Sequence, residues 1–461
     1  MSLGQGPLSK NIFTSNDNAP AITPQSFINR TQSFSPTGNK TLPDLKKKLH
    51  SKLLTELDTS KFGTDIDKHQ EAIKQQITSL FEAFLKEEGV PLGLNDKKML
   101  LEELTWDILG LGPLEPLLKD NTINDILVNG PSSVYVERKG MLEKTDVKFD
   151  DEVHLMRVIR RITSRVGRRV DESSPMVDAR LPDGSRVNAI IQPLAIDGAS
   201  LSIRKFSEKK YVLEDMIKLN SITEAMCEVL KICVICRLNI IVSGGTGSGK
   251  TTFLNALSRH IPSTERVVTI EDAAELQLQR DHVVRLETRP QNTEGKGEIS
   301  QRELVKNALR MRPERIILGE IRAGEALDLL QAMNTGHGGS MGTLHANTTR
   351  DAFSRLETMC LMSGLDLPQR AIREQIASAV NLVIQLNRFP DGSRRVTQIS
   401  EVTGMENGII STQEIFTFDQ KGLDAEGKVK GMFKPSGVRP VFSKAVEAMG
   451  YKLPQNAFSL L

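Results

Sequence analysis

The chain has 461 residues, 39% hydrophobic and 26% charged, enough to build about two to four domains with cores of their own. Sixty basic against fifty-eight acidic residues leave a formal charge of +2, without the basic surplus of a nucleic-acid reader, so no nucleic-acid partner is expected. No run approaches the roughly 20 apolar residues of a membrane span, the N-terminus lacks the apolar core of a secretory signal, and four cysteines are too few for a disulfide scaffold; a cytoplasmic protein is the expectation.

Residues 1–41 are rich in Ser, Thr, Asn, Gln, Gly and Pro, with few charges and no apolar period, which predicts a disordered tail. Over 42–114 three stretches repeat apolar residues at three- and four-residue steps: LPDLKKKLHSKLLTEL, HQEAIKQQITSLFEAFLKEEG and NDKKMLLEELTWDILGLGPL. They predict a small helical bundle, with Gly89 stopping the second helix and Asn95 or Asp96 capping the third. Over 115–207 the β-type runs ILVNG, SVYVER and VNAIIQ accompany one basic helix, EVHLMRVIRRITSRVG, and turn residues stand at 129–131 and 182–184. This reads as a separate α+β domain.

Residues 208–220 are charged and read as a linker. From 221 to 420 short strands, NIIVSG, RVVTIED, VVRLET, RIILGEI and SMGTLHA, alternate with helical segments, which predicts a largely parallel sheet with helices on both faces, an α/β domain. Residues 421–461 have no clear period and are set apart as a C-terminal extension. Cys233 and Cys236 form a CxxC, but no second pair of metal ligands accompanies it, so they read as small apolar side chains on a buried helix face.

The string SGGTGSGKTT, residues 243–252, fits GxxxxGK[ST] between an apolar strand and a helix. Gly244, Gly245, Thr246, Gly247, Ser248 and Gly249 allow backbone N–H groups to turn around phosphate oxygens. Lys250 is placed to reach β- and γ-phosphates, Thr251 to bind Mg²⁺ through its hydroxyl, and Thr252 continues the helix start. RIILGEIR ends an apolar strand in Glu320, the candidate carboxylate for orienting water or holding the shell of the magnesium ion. VVTIEDAAELQL gathers Glu271, Asp272 and Glu275 beyond another strand, a candidate set for Mg²⁺ or water.

NTGHGGSMGTLHAN places His337 and His345 on either side of a glycine run, a candidate switch that senses the γ-phosphate. In the second domain DARLPDGSRVNAII and LSIRKF carry Arg180, Arg186 and Arg204, candidates for neutralising charge on a transferring phosphoryl group.

Together these strings resemble the secretion ATPase superfamily of type II secretion, type IV pili and type IV secretion, and most closely its CpaF/TadA branch, associated with Tad (Flp) pilus assembly. SGGTGSGKTT looks like its Walker A, TIEDAAELQL its Asp box, RIILGEIRAGEALDLLQAMNTGH its Walker B, and GHGGSMGTLHAN its His box. The strings ILGLGPLEPLL, INDILVNGP, RLETRP and GKGEI are similar to that branch too. The resemblance implies a RecA-like P-loop core with a smaller, PAS-like N-terminal α+β domain, ATP and Mg²⁺ as ligands, and a homo-hexameric ring docked at the inner membrane on a platform protein, acting on pilins indirectly. In that family the second-domain arginines approach the phosphates, which matches Arg186 and Arg204 best.

Two departures stand out. Gly338 follows His337 where the branch often has Asp, and Gly342 precedes Thr343 where it often has a Thr pair, which predicts a looser His-box loop. The tetracysteine insertion of the type II motors is missing. The alternatives are a conjugation or effector-translocating ATPase of type IV secretion and, from another class, a nucleic-acid translocase. Near-neutral charge and 4% aromatics argue against the translocase, and the intact Lys250 and Glu320 argue against an inactive scaffold.

Overall fold

The computed structural model describes residues 42–56, 70–89, 92–138, 140–206, 210–289, 291 and 296–459. The expected disordered tail, 1–41, lies outside them. The chain divides into two compact units, Met1–Phe206 and Ser207–Leu461.

In the first unit α1 (Leu42–Glu56), α2 (Gln70–Glu88) and α3 (Leu94–Leu109) form the bundle. Their apolar stripes meet at Leu49, Leu53, Ile77, Phe81 and Leu104, the packing that a three-to-four-residue period produces. Gly89, at φ +60°, ends α2 as expected. The cap of α3 is Gly93 rather than Asn95 or Asp96. Those residues fall inside the first turn, where Asp96 still complements the helix dipole.

After the short α4 (Glu115–Lys119) comes a fully antiparallel sheet: β1 (Ile123–Asn129), β2 (Val134–Arg138), β3 (Met141–Lys144), β4 (Met176–Arg180), β5 (Arg186–Ile190) and β6 (Ser200–Arg204), in the order β3-β2-β1-β6-β5-β4. The basic helix α5 (Glu152–Arg165) starts on the Asp151 side chain, which accepts from the His154 N–H at 2.8 Å. It buries Leu155, Val158, Ile159 and Ile162 against this sheet.

In the second unit, residues 213–218 of the expected linker form helix α6 (Leu213–Lys218), because Leu213 and Met216 face the core. Helix α7 (Glu224–Ile235) follows, capped by Thr223. Cys233 and Cys236 are 0% and 2% exposed in this core, and burial pushes both thiols up. The α/β core then runs β7 (Ile240–Gly244), α8 (Lys250–Ser258), β8 (Val267–Glu271), β9 (Val283–Glu287), α9 (Gln301–Ala308), β10 (Arg315–Leu318), α10 (Glu325–Asn334), β11 (Met341–Leu344), α11 (Thr349–Leu361), α12 (Gln369–Ala379) and β12 (Leu382–Arg388).

Strands β12-β7-β11-β10-β8-β9 are parallel neighbours in that order. Ile240 and Val242 enter one core and Ile241 the other, so β7 is buried on both faces. Each such side chain contributes roughly 1.5–3 kcal/mol by leaving water.

The sheet continues antiparallel through β13 (Arg394–Glu406), β14 (Ile409–Leu423) and β15 (Val429–Pro435). The boundary expected after residue 420 falls inside β14. Helix α13 (Ser443–Ala448) and the segment after it pack Phe442, Val446 and Phe458 into the same core as β7, so 421–459 belong to the second unit. This tail lacks a period because it is a strand, a loop and two short turns of helix, each below the length at which period is readable.

Candidate functional site

The site grows from the C-terminal end of β7. At Gly244 an added Cβ would stand 2.5 Å from the Leu386 carbonyl oxygen, so the exit from the strand admits only glycine. Gly247 and Gly249 take φ of +70° and +91°, the left-handed conformation in which other side chains strain. Gly249 caps α8 without a side-chain acceptor, which leaves the first N–H groups of the helix available to an anion. Ser248 is 1% exposed and its Oγ has no partner, an orphaned polar atom of the kind a phosphate would satisfy.

Lys250 is 7% exposed. Its Nζ donates to the Gly244 and Gly245 carbonyls at 3.0 and 2.9 Å and stands 3.4 Å from His345 Nε2. Burial pushes its ammonium below the ordinary range, while Glu320 pulls the other way. In this arrangement the ammonium is folded back on the loop's own carbonyls, the places a polyphosphate would take over.

Glu320 leaves the end of β10, next to the β11 exit. Its Oε1 accepts from His345 Nε2 at 2.9 Å and its Oε2 from Arg322 Nη2 at 2.5 Å. Arg322 Nη1 reaches Asp272 Oδ2 at 3.0 Å. Burial first, and Lys250 second, hold the His345 imidazole below its usual range, so near neutrality it is uncharged and its Nε2–H donates a hydrogen bond to Glu320. Lysine, imidazole, carboxylate, guanidinium and carboxylate thus form one chain beside the P-loop.

The three acids of VVTIEDAAELQL divide. Asp272 joins that chain through Arg322. Glu271, 3% exposed, turns inward, and its Oε1 accepts from the Glu275 and Leu276 N–H groups at 2.8 Å each. Its Oε2 is buried without a partner, and burial pushes the carboxyl up to about 7. Glu275 contributes its backbone N–H to this lacing. Gly319 is needed here, since a Cβ would meet Glu271 Cγ at 2.6 Å.

The glycine run between His337 and His345 is not at the phosphate end. It precedes β11 and therefore lies at the opposite end of the parallel sheet, beside Asn239 at the start of β7. Nor is it loose. Asn239 Oδ1 accepts from Gly339 and Ser340, Arg237 Nε donates to the Gly338 carbonyl, and the fully buried Arg315 lies against Gly339. Gly342 is a packing glycine whose Cβ would strike Ile321 at 2.8 Å. Of the two histidines only His345 stands in the Lys250–Glu320 cluster.

Arg180, Arg186 and Arg204 belong to the first unit and form a row. Arg180 pairs directly with Arg186 across β4–β5, and Arg186 with Arg204 across β5–β6. Directly opposed residues share a face, and like charges there are destabilising. Asp125 offsets part of the charge by accepting from Arg204 Nε at 3.0 Å. A row of three arginines is an anion-seeking arrangement.

One group escaped the sequence reading. The β12–β13 hairpin lies on the P-loop: Arg394 Nε donates to the Gly247 carbonyl at 2.8 Å, and Arg388 Nη1 is 3.1 Å from where a Cβ on Gly247 would be. More than 130 residues separate it from the loop, and its turn residues, FPDGS, look like an ordinary connection. A signal was present: RFPDGSR at 388–394 repeats RLPDGSR at 180–186.

Comparison with known proteins adds a family. The family model described as type II/IV secretion system protein matches residues 107–423, and that of the N-terminal domain of type II secretion system protein E matches 42–109. A putative conjugal transfer protein of Mycobacterium tuberculosis is 37% identical over 324 residues, 68% of this chain and 92% of that protein. The type IV secretion system protein VirB11 of Bartonella quintana is 30% identical over 344 residues, 66% of this chain and 95% of that protein. Among solved structures, the VirB11 ATPase of the Brucella suis type IV secretion system, in complex with sulphate, is 31% identical and covers 63% of this chain and 95% of its own, with a TM-score of 0.35.

Proposed function

The chain belongs to the type II/IV secretion system protein family, and on that premise we propose that it is an ATP hydrolase, a motor that converts ATP hydrolysis into motion between its two units. The observation that carries this reading is the P-loop whose Lys250 and His345 meet the doubly held Glu320.

Lys250 neutralises the β- and γ-phosphates once they displace its contacts with the Gly244 and Gly245 carbonyls. Glu320 orients the attacking water. Its contacts with His345 and Arg322 hold the carboxylate in one orientation and leave it lone pairs for that water. The neutral His345, lying between Lys250 and Glu320, couples the arrival of phosphate at Lys250 to the orientation of that carboxylate. Arg186 and Arg204, with Arg180 beside them, are the residues by which the first unit neutralises charge on the transferring group. Thr251 and, through water, Glu320 are the residues that would hold Mg²⁺, which when bound supplies further neutralisation of the phosphate oxygens.

The motor works as a cytoplasmic homo-hexamer on an inner-membrane platform protein and powers assembly of a Tad (Flp)-type pilus, moving pilins indirectly. The CpaF/TadA-like boxes support this. A second reading, a type IV secretion or conjugation ATPase, is favoured by the names of the matched relatives. Among the described residues no helix is long and apolar enough to cross a membrane.

The test of the hydrolase reading is steady-state ATP turnover by the full chain and by Lys250→Ala: the wild type turns over and the variant does not. Deletion of the gene then separates the two machines. Loss of surface pili with transfer of DNA or effectors intact supports the pilus motor, and the reverse result supports the second reading.

A further inference from the structure

The two seven-residue strings that share R-x-P-D-G-S-R fold the same way. In the first, Asp183 Oδ1 accepts from the Ser185 N–H at 2.9 Å, Leu181 N donates to the Ser185 carbonyl at 2.9 Å, Gly184 has φ +90°, and Arg180 pairs with Arg186. In the second, Asp391 Oδ1 accepts from the Ser393 N–H at 2.9 Å, Phe389 N donates to the Ser393 carbonyl at 2.8 Å, Gly392 has φ +80°, and Arg388 pairs with Arg394. Each turn sets two arginines side by side on one face of a hairpin. The chain carries the same arginine device once in each unit.

The second copy is also braced. Asp391 Oδ2 accepts from Val429 N at 2.7 Å, Ser221 Oγ donates to the Arg394 carbonyl at 2.6 Å, and Arg395 lies over the Phe418 ring at 4.9 Å. Its position is equally defined. Glu320, His345 and Asp272 follow β10, β11 and β8, all on one side of β7, and mark where the terminal phosphate sits. The hairpin follows β12, on the other side of β7. A nucleotide whose terminal phosphate faces Glu320 leaves the P-loop on the hairpin side.

We propose that the RFPDGSR hairpin forms the nucleoside end of the site: Arg394 holds the P-loop by the Gly247 carbonyl, and Arg388 contacts the ribose and base. Guanidinium suits this place, since its planar fork donates to ribose oxygens and stacks on a base. The assignment rests on the reading of the P-loop as an ATP site.

The experiment is calorimetric titration of the full chain with two probes, ADP and inorganic tripolyphosphate. Arg388→Ala weakens ADP by about tenfold, the scale of one hydrogen bond to a charged group, and leaves tripolyphosphate within about twofold. Arg394→Ala, which frees the loop, weakens both probes. Arg388→Lys, which keeps the charge and loses the fork, recovers only part of the ADP affinity. If Arg388→Ala weakened both probes equally, or neither, the nucleoside contact would be wrong. If Lys250→Ala kept full affinity for both, the ATP-site reading would fall and the hairpin assignment with it.

Discussion

Glu320 Oε1 and His345 Nε2 stand 2.9 Å apart, and the other carboxylate oxygen is taken by Arg322. With one partner on each oxygen, the carboxylate at the tip of β10 is held in one orientation and keeps lone pairs for water. The two partners thereby fix where Glu320 presents its oxygens beside the P-loop.

The two histidines of the expected switch separate. His345→Ala removes the donor that ties Glu320 to the Lys250 end of the site, and kcat falls by about tenfold, at the low end of what a positioned polar group contributes. His337→Ala, at the far end of the sheet, leaves turnover as it was. Steady-state turnover of the two variants side by side checks this, and the reverse ranking would return the switch to the glycine run.

Arg186→Ala with Arg204→Ala removes two members of the arginine row. Turnover drops by about 10³-fold, the lower range for loss of a charge-neutralising arginine, while binding of ADP by the second unit persists. Equal loss of ADP affinity and turnover would mean that the row acts on binding alone.

Glu271 gives stability its own pH dependence. Its folded carboxyl titrates near 7 against 4.5 when unexposed to burial. The folded state therefore holds a proton that the unfolded state has released between those values. The contribution is complete below 4.5, declines as pH rises towards 7, and is absent above it. Its size is on the order of 3 kcal/mol. Glu271→Gln keeps the acceptor for Glu275 and Leu276 and abolishes the slope. Urea unfolding midpoints at pH 5 and pH 7 for both proteins read this directly, and a wild type that gains stability over that interval while the variant stays level would contradict it.

At the far end of the sheet, Gly339→Ala adds a Cβ 2.6 Å from the Arg315 guanidinium at φ +82°, where alanine is strained. Stability falls by about 1–3 kcal/mol, and the KM for ATP does not change. A shift in KM without loss of stability would place the glycine loop back at the phosphates.

What the sequence made legible follows from locality. The P-loop and Glu320 are contiguous signals, a strand followed by its chemistry, and the structure puts Lys250, Glu320 and His345 within one cluster. The fate of Glu271 was not legible, because an acid after a strand reads the same whether it turns to solvent or laces its own loop. His337 misled because eight residues are a short distance in sequence but span a whole strand in space. The Arg388–Arg394 hairpin was missed because its partner loop is remote in the chain, although the repeated RxPDGSR string carried the clue. Residues 421–459 gave no period, yet Phe442 and Phe458 complete the core beneath β7.

The most direct measurement is ATP turnover of Glu320→Gln beside nucleotide affinity of the same protein. Turnover falls by at least about a hundredfold with ADP binding intact, since Gln still fills the site but offers the attacking water no carboxylate to orient it. Turnover at the wild-type level would contradict that role for Glu320.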